Sequence, residues 1–285
     1  MRRTRSSDQE LSVGKTLVKH QAEYWATTFM VCSVRIPNAV RNANGSTAMI
    51  HGYDYKFVRT HNFEDRASYW TKIPALSDIL HEYEFAISID ADAQINHPEI
   101  PFEWLLNRWN VTETTALTMA IDPDEPQNYD PYGKIYNNAG FVVAHNIPRT
   151  HEILKTWASC PDEPEKHFKT NGGCRRWKNP WPAEQAAFGE YVRYQFKQPG
   201  DVNEVPCEEA NGFPDYEPAP YCNGTFIKHM WAQKWDVKNS IEHGFMSVLM
   251  SRIRDQFISE KDDRVVERKT NNFEWFNASD FLNGS

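Results

Sequence analysis

No uninterrupted apolar run in this chain approaches the ~18–20 residues that a membrane-crossing helix requires, so the sequence itself offers no bilayer span. An excess of basic residues is also missing. The 31 Lys and Arg face 39 Asp and Glu, for a formal net charge of -8, which argues against a nucleic-acid backbone as the main partner. None of the five cysteines (Cys32, Cys160, Cys174, Cys207 and Cys222) forms a CxxC pair, which argues against a zinc finger. Internal repeats and low-complexity tracts are absent. So is a secretory leader at Met1, where Arg2-Arg3-Thr4-Arg5-Ser6-Ser7 runs straight into polar sequence. Two expectations stand on that point: an upstream anchor lies outside this chain, or the protein is cytosolic.

At 285 residues the chain makes one large domain or two small ones, and 40% apolar residues suffice for a core at that length. Aromatics are plentiful: 10 Trp, 12 Tyr and 16 Phe supply a core with rings to spare for stacking on sugars or nucleobases. Cys207 and Cys222 bracket a Pro-, Asn- and Gly-rich loop, Cys160 and Cys174 bracket another, and either pair can close. Cys32 reads as a small buried thiol in an apolar strand. Asn-x-Ser/Thr triplets begin at Asn44, Asn110, Asn223, Asn277 and Asn283. Together with the loop-bracketing cysteines they point to a secretory lumen; in a cytosolic protein the triplets would be idle.

The chain reads as a polar lead over 1–24, one domain over 25–240, and a helix with an aromatic tail over 241–285 that packs on the same domain. Strands are expected at Phe29–Ile36, Asp54–Arg59, Phe85–Ile89, Ala116–Ile121, Phe141–Ala144 and Phe226–Met230. Thr47–Met49 reads as the end of a short helix. Asp65–Tyr83 has helical spacing, with Pro74 expected to kink or restart it. Further helices are expected over Phe102–Trp109, from Pro148 with Ile153, Leu154 and Trp157 inward, from Pro182, and over Ile241–Ile258. Residues 122–136, 160–181 and 199–224 read as loops. Alternation of strand and helix favours an α/β sheet.

Phe85–Ile89 is followed by Asp90-Ala91-Asp92, which places two carboxylates at the carboxyl end of a strand, where open α/β sheets bind ligands. Such a pair can hold a hard divalent cation through oxygen, and the cation can hold phosphate oxygens; it can equally be a solvated turn. Asp122-Pro123-Asp124 is a second acid-x-acid pair after a strand. It reads as a loop of Pro-fixed geometry that no histidine and lysine sequel reaches.

Five stretches occur in order: His51-Gly52-Tyr53-Asp54, Trp70-Thr71-Lys72-Ile73-Pro74-Ala75-Leu76, Ile89-Asp90-Ala91-Asp92-Ala93, Asn138-Ala139-Gly140-Phe141-Val142-Val143 and Glu184-Gln185-Ala186-Ala187. His229 and Lys234 follow, five apart. This set resembles the galactosyl- and mannosyltransferases of the fungal Golgi, with plant xyloglucan xylosyltransferases as relatives, from about Val31 to Lys234. The resemblance implies a GT-A fold, an α/β nucleotide-binding domain with a mixed central sheet flanked by helices. It also implies Mn²⁺-dependent, retaining transfer of a hexose, galactose or mannose more than xylose, from a UDP- or GDP-sugar to a glycan or glycoprotein acceptor. Asp90, Asp92 and His229 would hold the metal. Lys234 would contact the diphosphate, and Lys72 the nucleotide or phosphates. Ala91 lies within the donor-binding motif. Asn138 and Gly140 would border the sugar pocket, and Glu184 and Gln185 would face the reacting sugar.

Each of these residues has a plainer reading: Lys72 as a solvated helix lysine, His229 as a hydrogen-bonded core histidine, Glu184 as a complement to its helix dipole, and Asn138-Ala139-Gly140 as a turn. Two other functions stay open, a haloacid-dehalogenase-like phosphatase and a catalytically inactive glycan-binding protein on a transferase fold. The chain departs from the family at Ala91, where Ser is common, at His145, where Arg is often seen, and in the basic loop Lys166–Lys178.

Overall fold

The computed structural model describes residues 27–32, 47–48, 50–58, 60–162, 173–213 and 216–231, with scattered helical positions between 240 and 260. The chain divides into two compact units, Met1–Gly244 and Phe245–Ser285. In the second unit, residues 250–251, 253–256 and 258–259 are helical, as the apolar spacing predicts. The expected packing of the aromatic tail lies outside the described residues.

The first unit is built on a mixed sheet of six strands in the order β2-β1-β3-β6-β5-β7. The strands are β1 Thr27–Cys32, β2 Asp54–Val58, β3 Phe85–Ile89, β5 Leu117–Ile121, β6 Asn137–His145 and β7 Val202–Val205. β2, β1 and β3 run parallel, β6 runs against both β3 and β5, and β7 is parallel to β5. A second, two-stranded sheet pairs β4 (Ala93–Ile95) with β8 (Ile227–His229), antiparallel. This is a mixed α/β architecture of the GT-A kind.

β3 and β6 are buried along their whole length because both faces of the sheet are covered. The pleat sends alternate side chains to opposite faces. Phe85, Ile87 and Ile89 join Phe141 and Val143 in one apolar cluster, which the Phe102–Arg108 helix closes with Leu105 and Leu106. Ala86, Val142 and Ala144 face a second cluster, filled by the Lys72–Leu80 and Pro148–Ser159 helices with Leu76, Leu80, Leu154 and Trp157.

Three expectations need correction, and one about Pro74 holds. The helical stretch restarts there: a 3₁₀ turn over Ser68–Thr71 gives way to the α-helix Lys72–Leu80, so the proline falls in the first turn, where a missing N–H costs nothing. Asn138–Gly140 is strand rather than turn, since β6 runs on past the end of β3 and pairs Asn137 with Ile121 across a register shift whose extra residues lie on β6. Residues 199–224 are not wholly irregular, for they hold β7 and the short helix Cys207–Ala210. The helix expected from Pro182 begins at Glu184.

Both cysteine pairs are disulfides, Cys160–Cys174 and Cys207–Cys222, with Cα atoms 5.4 and 5.3 Å apart. His145, in the position where the resembled family often has Arg, is a core residue. It stacks on Phe85 with ring centroids 4.3 Å apart, and burial pushes its imidazole below the ordinary histidine range.

Candidate functional site

The topology delivers three ligand-bearing side chains to one point. β3 ends at Ile89, so Asp90 and Asp92 follow at its carboxyl end, and β4 starts at once at Ala93. In the antiparallel β4–β8 pair, Ala93 stands opposite His229, and the Met230 N–H donates to the Asp92 carbonyl at 2.7 Å. The main-chain register alone therefore brings the imidazole beside the acid pair. Asp90, Asp92 and His229 each offer one ligand atom, all within 4.8 Å of one another. Ala91, between the two acids, is half-buried against the apolar cluster beneath.

The orientation of His229 is set from behind. Asn211 donates through Nδ2 to Asp122 Oδ1 at 3.0 Å and to the Ile121 carbonyl at 3.2 Å. Its Oδ1 is thereby turned to His229 Nδ1, 2.8 Å away. An amide oxygen only accepts, so Nδ1 carries the hydrogen. In the neutral ring Nε2 then presents a lone pair. That lone pair lies 3.3 Å from Asp92 Oδ1. Two acceptors facing each other want a cation between them, and a carboxylate–imidazole donor set suits a divalent ion. The residues present therefore fit a metal.

Gly140 makes this possible. A Cβ built there would lie 2.1 Å from Cε1 of His229, so only a bare backbone lets the ring in. The Gly140 carbonyl also accepts from the Asp90 N–H at 2.8 Å, and its N–H donates to Asn138 Oδ1 at 2.7 Å.

Lys72 is buried, not solvated. Its ammonium reaches Asp90 Oδ1 at 2.8 Å, Asp90 Oδ2 at 2.9 Å, the Ala139 carbonyl at 3.2 Å and Glu184 Oε1 at 3.1 Å. Burial disfavours its charge, but Asp90 and Glu184 outweigh burial and hold the ammonium above the ordinary lysine range. Glu184 is 3% exposed, and burial raises its carboxyl above the usual range, against the pull of Lys72. Its second oxygen, Oε2, is buried with no hydrogen-bond partner. The Trp157 indole anchors this turn by donating to the Glu184 carbonyl at 2.8 Å. Gln185 is held at both ends of its amide: Oε1 accepts from the Ala139 N–H at 3.1 Å, and Nε2 donates to Asp122 Oδ2 at 2.7 Å.

Of the site residues expected from the sequence, all except Ala91 and Lys234 line one cavity of about 330 Å³, a volume suited to a small ligand. Lys234 lies outside the described residues.

Sequence reasoning missed two residues. Asp122 reads as a loop residue in the sequence, yet it is buried and accepts from Asn138 Nδ2 at 2.8 Å, from Asn211 and from Gln185. Asn211 links it to His229 from the other side. Burial pushes its carboxyl up, while those amide donors and the neighbouring His229 pull it down. The signal was an acid directly after a strand. Asn211, in a loop, gave none. Asp122→Asn puts an amide among amide donors and frees Asn211 to turn. Such partners of metal ligands are worth ~10–100-fold in metal affinity, and a calorimetric Mn²⁺ titration with an unchanged far-UV spectrum checks it.

No family profile and no curated protein matches the sequence. Among solved structures, the chain is similar to the crystal structure of a glycosyltransferase involved in the glycosylation of the major capsid of PBCV-1. The identity is 15% and the TM-score 0.55, covering 75% of this chain and 99% of that one. It also matches the crystal structure of A197 from STIV at 11% identity and a TM-score of 0.36, covering 64% of this chain and 82% of that one. The first likeness shows the fold to be one that a glycosyltransferase uses.

Proposed function

We propose that the protein is a metal-dependent glycosyltransferase that moves a hexose from a nucleotide diphosphate sugar to a glycan acceptor with retention. The observation that carries this reading is the Asp90–Asp92–His229 triangle at the end of the central strand, in one cavity with Lys72 and Glu184. A bound divalent cation, Mn²⁺ in this reading, supplies Lewis-acid stabilisation of the charge on a departing nucleoside diphosphate. Asp90, Asp92 and His229 hold it. Lys72 braces Asp90 against Glu184, its ammonium shared between the two side chains. Glu184 lines the cavity and keeps one carboxyl oxygen without a hydrogen-bond partner, and in this reading it stabilises a sugar that develops positive charge at its anomeric carbon. Gln185 and Asn138 border the sugar, steadied through Asp122.

A secretory compartment such as the Golgi lumen belongs to the same reading. Two disulfides fit an oxidising lumen, and the sequon residues Asn110 and Asn223 are exposed and open to glycosylation.

A thermal-shift panel of nucleoside diphosphates with and without Mn²⁺ tests the function. A ligand at 100 times its Kd adds about 2.7 kcal/mol of apparent stability. We expect one base, uridine or guanosine, to stabilise the protein only with metal present, and its hexose derivative to be hydrolysed slowly in water. Stabilisation by no diphosphate, or release of phosphate from simple phosphomonoesters instead, contradicts the proposal.

A further inference from the structure

The cavity has an aromatic lining that includes Tyr69, Trp177 and Trp181, and Trp181 is 76% exposed, more than any other large apolar side chain among the described residues. A solvated indole at a cavity mouth contributes nothing to the core; it is a flat apolar plate with one polar edge.

Part of this lining is rigidly built. The Ala67 N–H donates to the Lys178 carbonyl at 2.8 Å, and the Trp70 indole donates to the Trp177 carbonyl at 3.1 Å. Lys178 ties the same segment to Asp65 at 2.7 Å and to Asp162 at 3.2 Å. The Trp177 indole donates to Glu190 at 3.1 Å; Arg176 pairs with that carboxylate and lies 4.8 Å over the Trp177 ring. Trp177 is thus held in place and the chain that leads to Trp181 is tied down, which lowers the cost of ordering the site on binding.

Its position says what it takes. The Ala183 N–H donates to the Pro180 carbonyl at 2.9 Å, closing a turn that carries Trp181 and leads directly into Glu184, and both residues line the same cavity. Glu184 carries the free oxygen at the reacting end of the site. A nucleobase would sit two phosphates away from that end, whereas an acceptor must come to it. A pyranose ring offers one face of C–H groups to an indole and its hydroxyls to the rim. We propose that Trp181, with Trp177 and Tyr69, forms a subsite that stacks a pyranose of the glycan acceptor. The inference rests on the glycosyltransferase reading and names where its second substrate binds.

The test is saturation-transfer NMR on the full chain, with methyl β-D-galactopyranoside and methyl α-D-mannopyranoside as probes. The variants are Trp181→Ala and Trp181→Phe. We expect saturation to reach the ring C–H protons of at least one glycoside, to fall roughly five- to ten-fold in Trp181→Ala, and to recover largely in Trp181→Phe, in keeping with the size of an aromatic contact. The Mn²⁺-dependent thermal shift with nucleoside diphosphate should persist in both variants. No glycoside signal in the parent protein, or an equal signal in Trp181→Ala, overturns the subsite. Loss of the nucleoside-diphosphate shift in Trp181→Ala overturns it too, assigning the plate to the base. Absence of that shift in the parent protein, with the glycoside result intact, sinks the transferase reading and leaves a glycan-binding surface.

Discussion

Asp92→Ala is expected to abolish metal-dependent donor turnover, a loss of at least ~10²–10³ in rate, the usual effect of removing one preorganised charge-stabilising group. The expectation follows from what Asp92 holds. Its Oδ1 is the oxygen that faces His229 Nε2, so the truncation removes one of the three ligands and leaves only Asp90 and His229 to hold the cation. The fold should tolerate the change, because the ladder that joins β4 to β8 is main chain and the Asp92 carbonyl still accepts from Met230. Donor hydrolysis followed by nucleoside-diphosphate release, beside a far-UV spectrum, checks both halves. Undiminished turnover in a folded variant would remove the metal triangle from the account.

Gly140→Ala should be nearly as damaging, though it touches no ligand's chemistry. The added methyl meets Cε1 of His229 at 2.1 Å and its two nitrogens at 2.7 Å, well inside contact distance. Gly140 cannot yield, since it lies within β6 and its carbonyl holds the Asp90 N–H. The ring must move, and with it goes the Nε2 position. A misplacement of about 1 Å is worth on the order of 10² in rate. We expect weakened Mn²⁺ affinity and a comparable fall in turnover, with stability lowered by about 1–3 kcal/mol from overpacking. Gly140→Ala with wild-type metal affinity would mean that His229 is not a ligand.

Much of this was legible in the sequence. Phe85–Ile89 is a strand of five apolar or small residues ended by Asp, and the structure matches those bounds. Pro148 opens its helix with Ile153, Leu154 and Trp157 inward, because a first-turn proline and helical spacing agree. The cysteine pairs also close as their bracketing of loops suggested. What local pattern missed was set by distant partners. Val202–Val205 is short and polar, and becomes a strand only because β5 offers a free edge. Asn137–Gly140 has the composition of a turn, and is held extended by β5 and by Asp90. Asp122 looked like a loop acid because its amide partners, Asn138, Gln185 and Asn211, come from three separate segments. Nothing local to His229 marks it as a ligand. The ordered likeness to a transferase family pointed to it, and the β4–β8 register is the physical reason it arrives.

Electron paramagnetic resonance of Mn²⁺, titrated into the protein with the nucleoside diphosphate that stabilises it best, reads the central claim directly. The account predicts that, measured against the same ion and nucleotide without protein, one further equivalent of the free-ion signal disappears in the parent protein, and that none does over the same range in His229→Ala. Equal uptake of the ion by both proteins would contradict it.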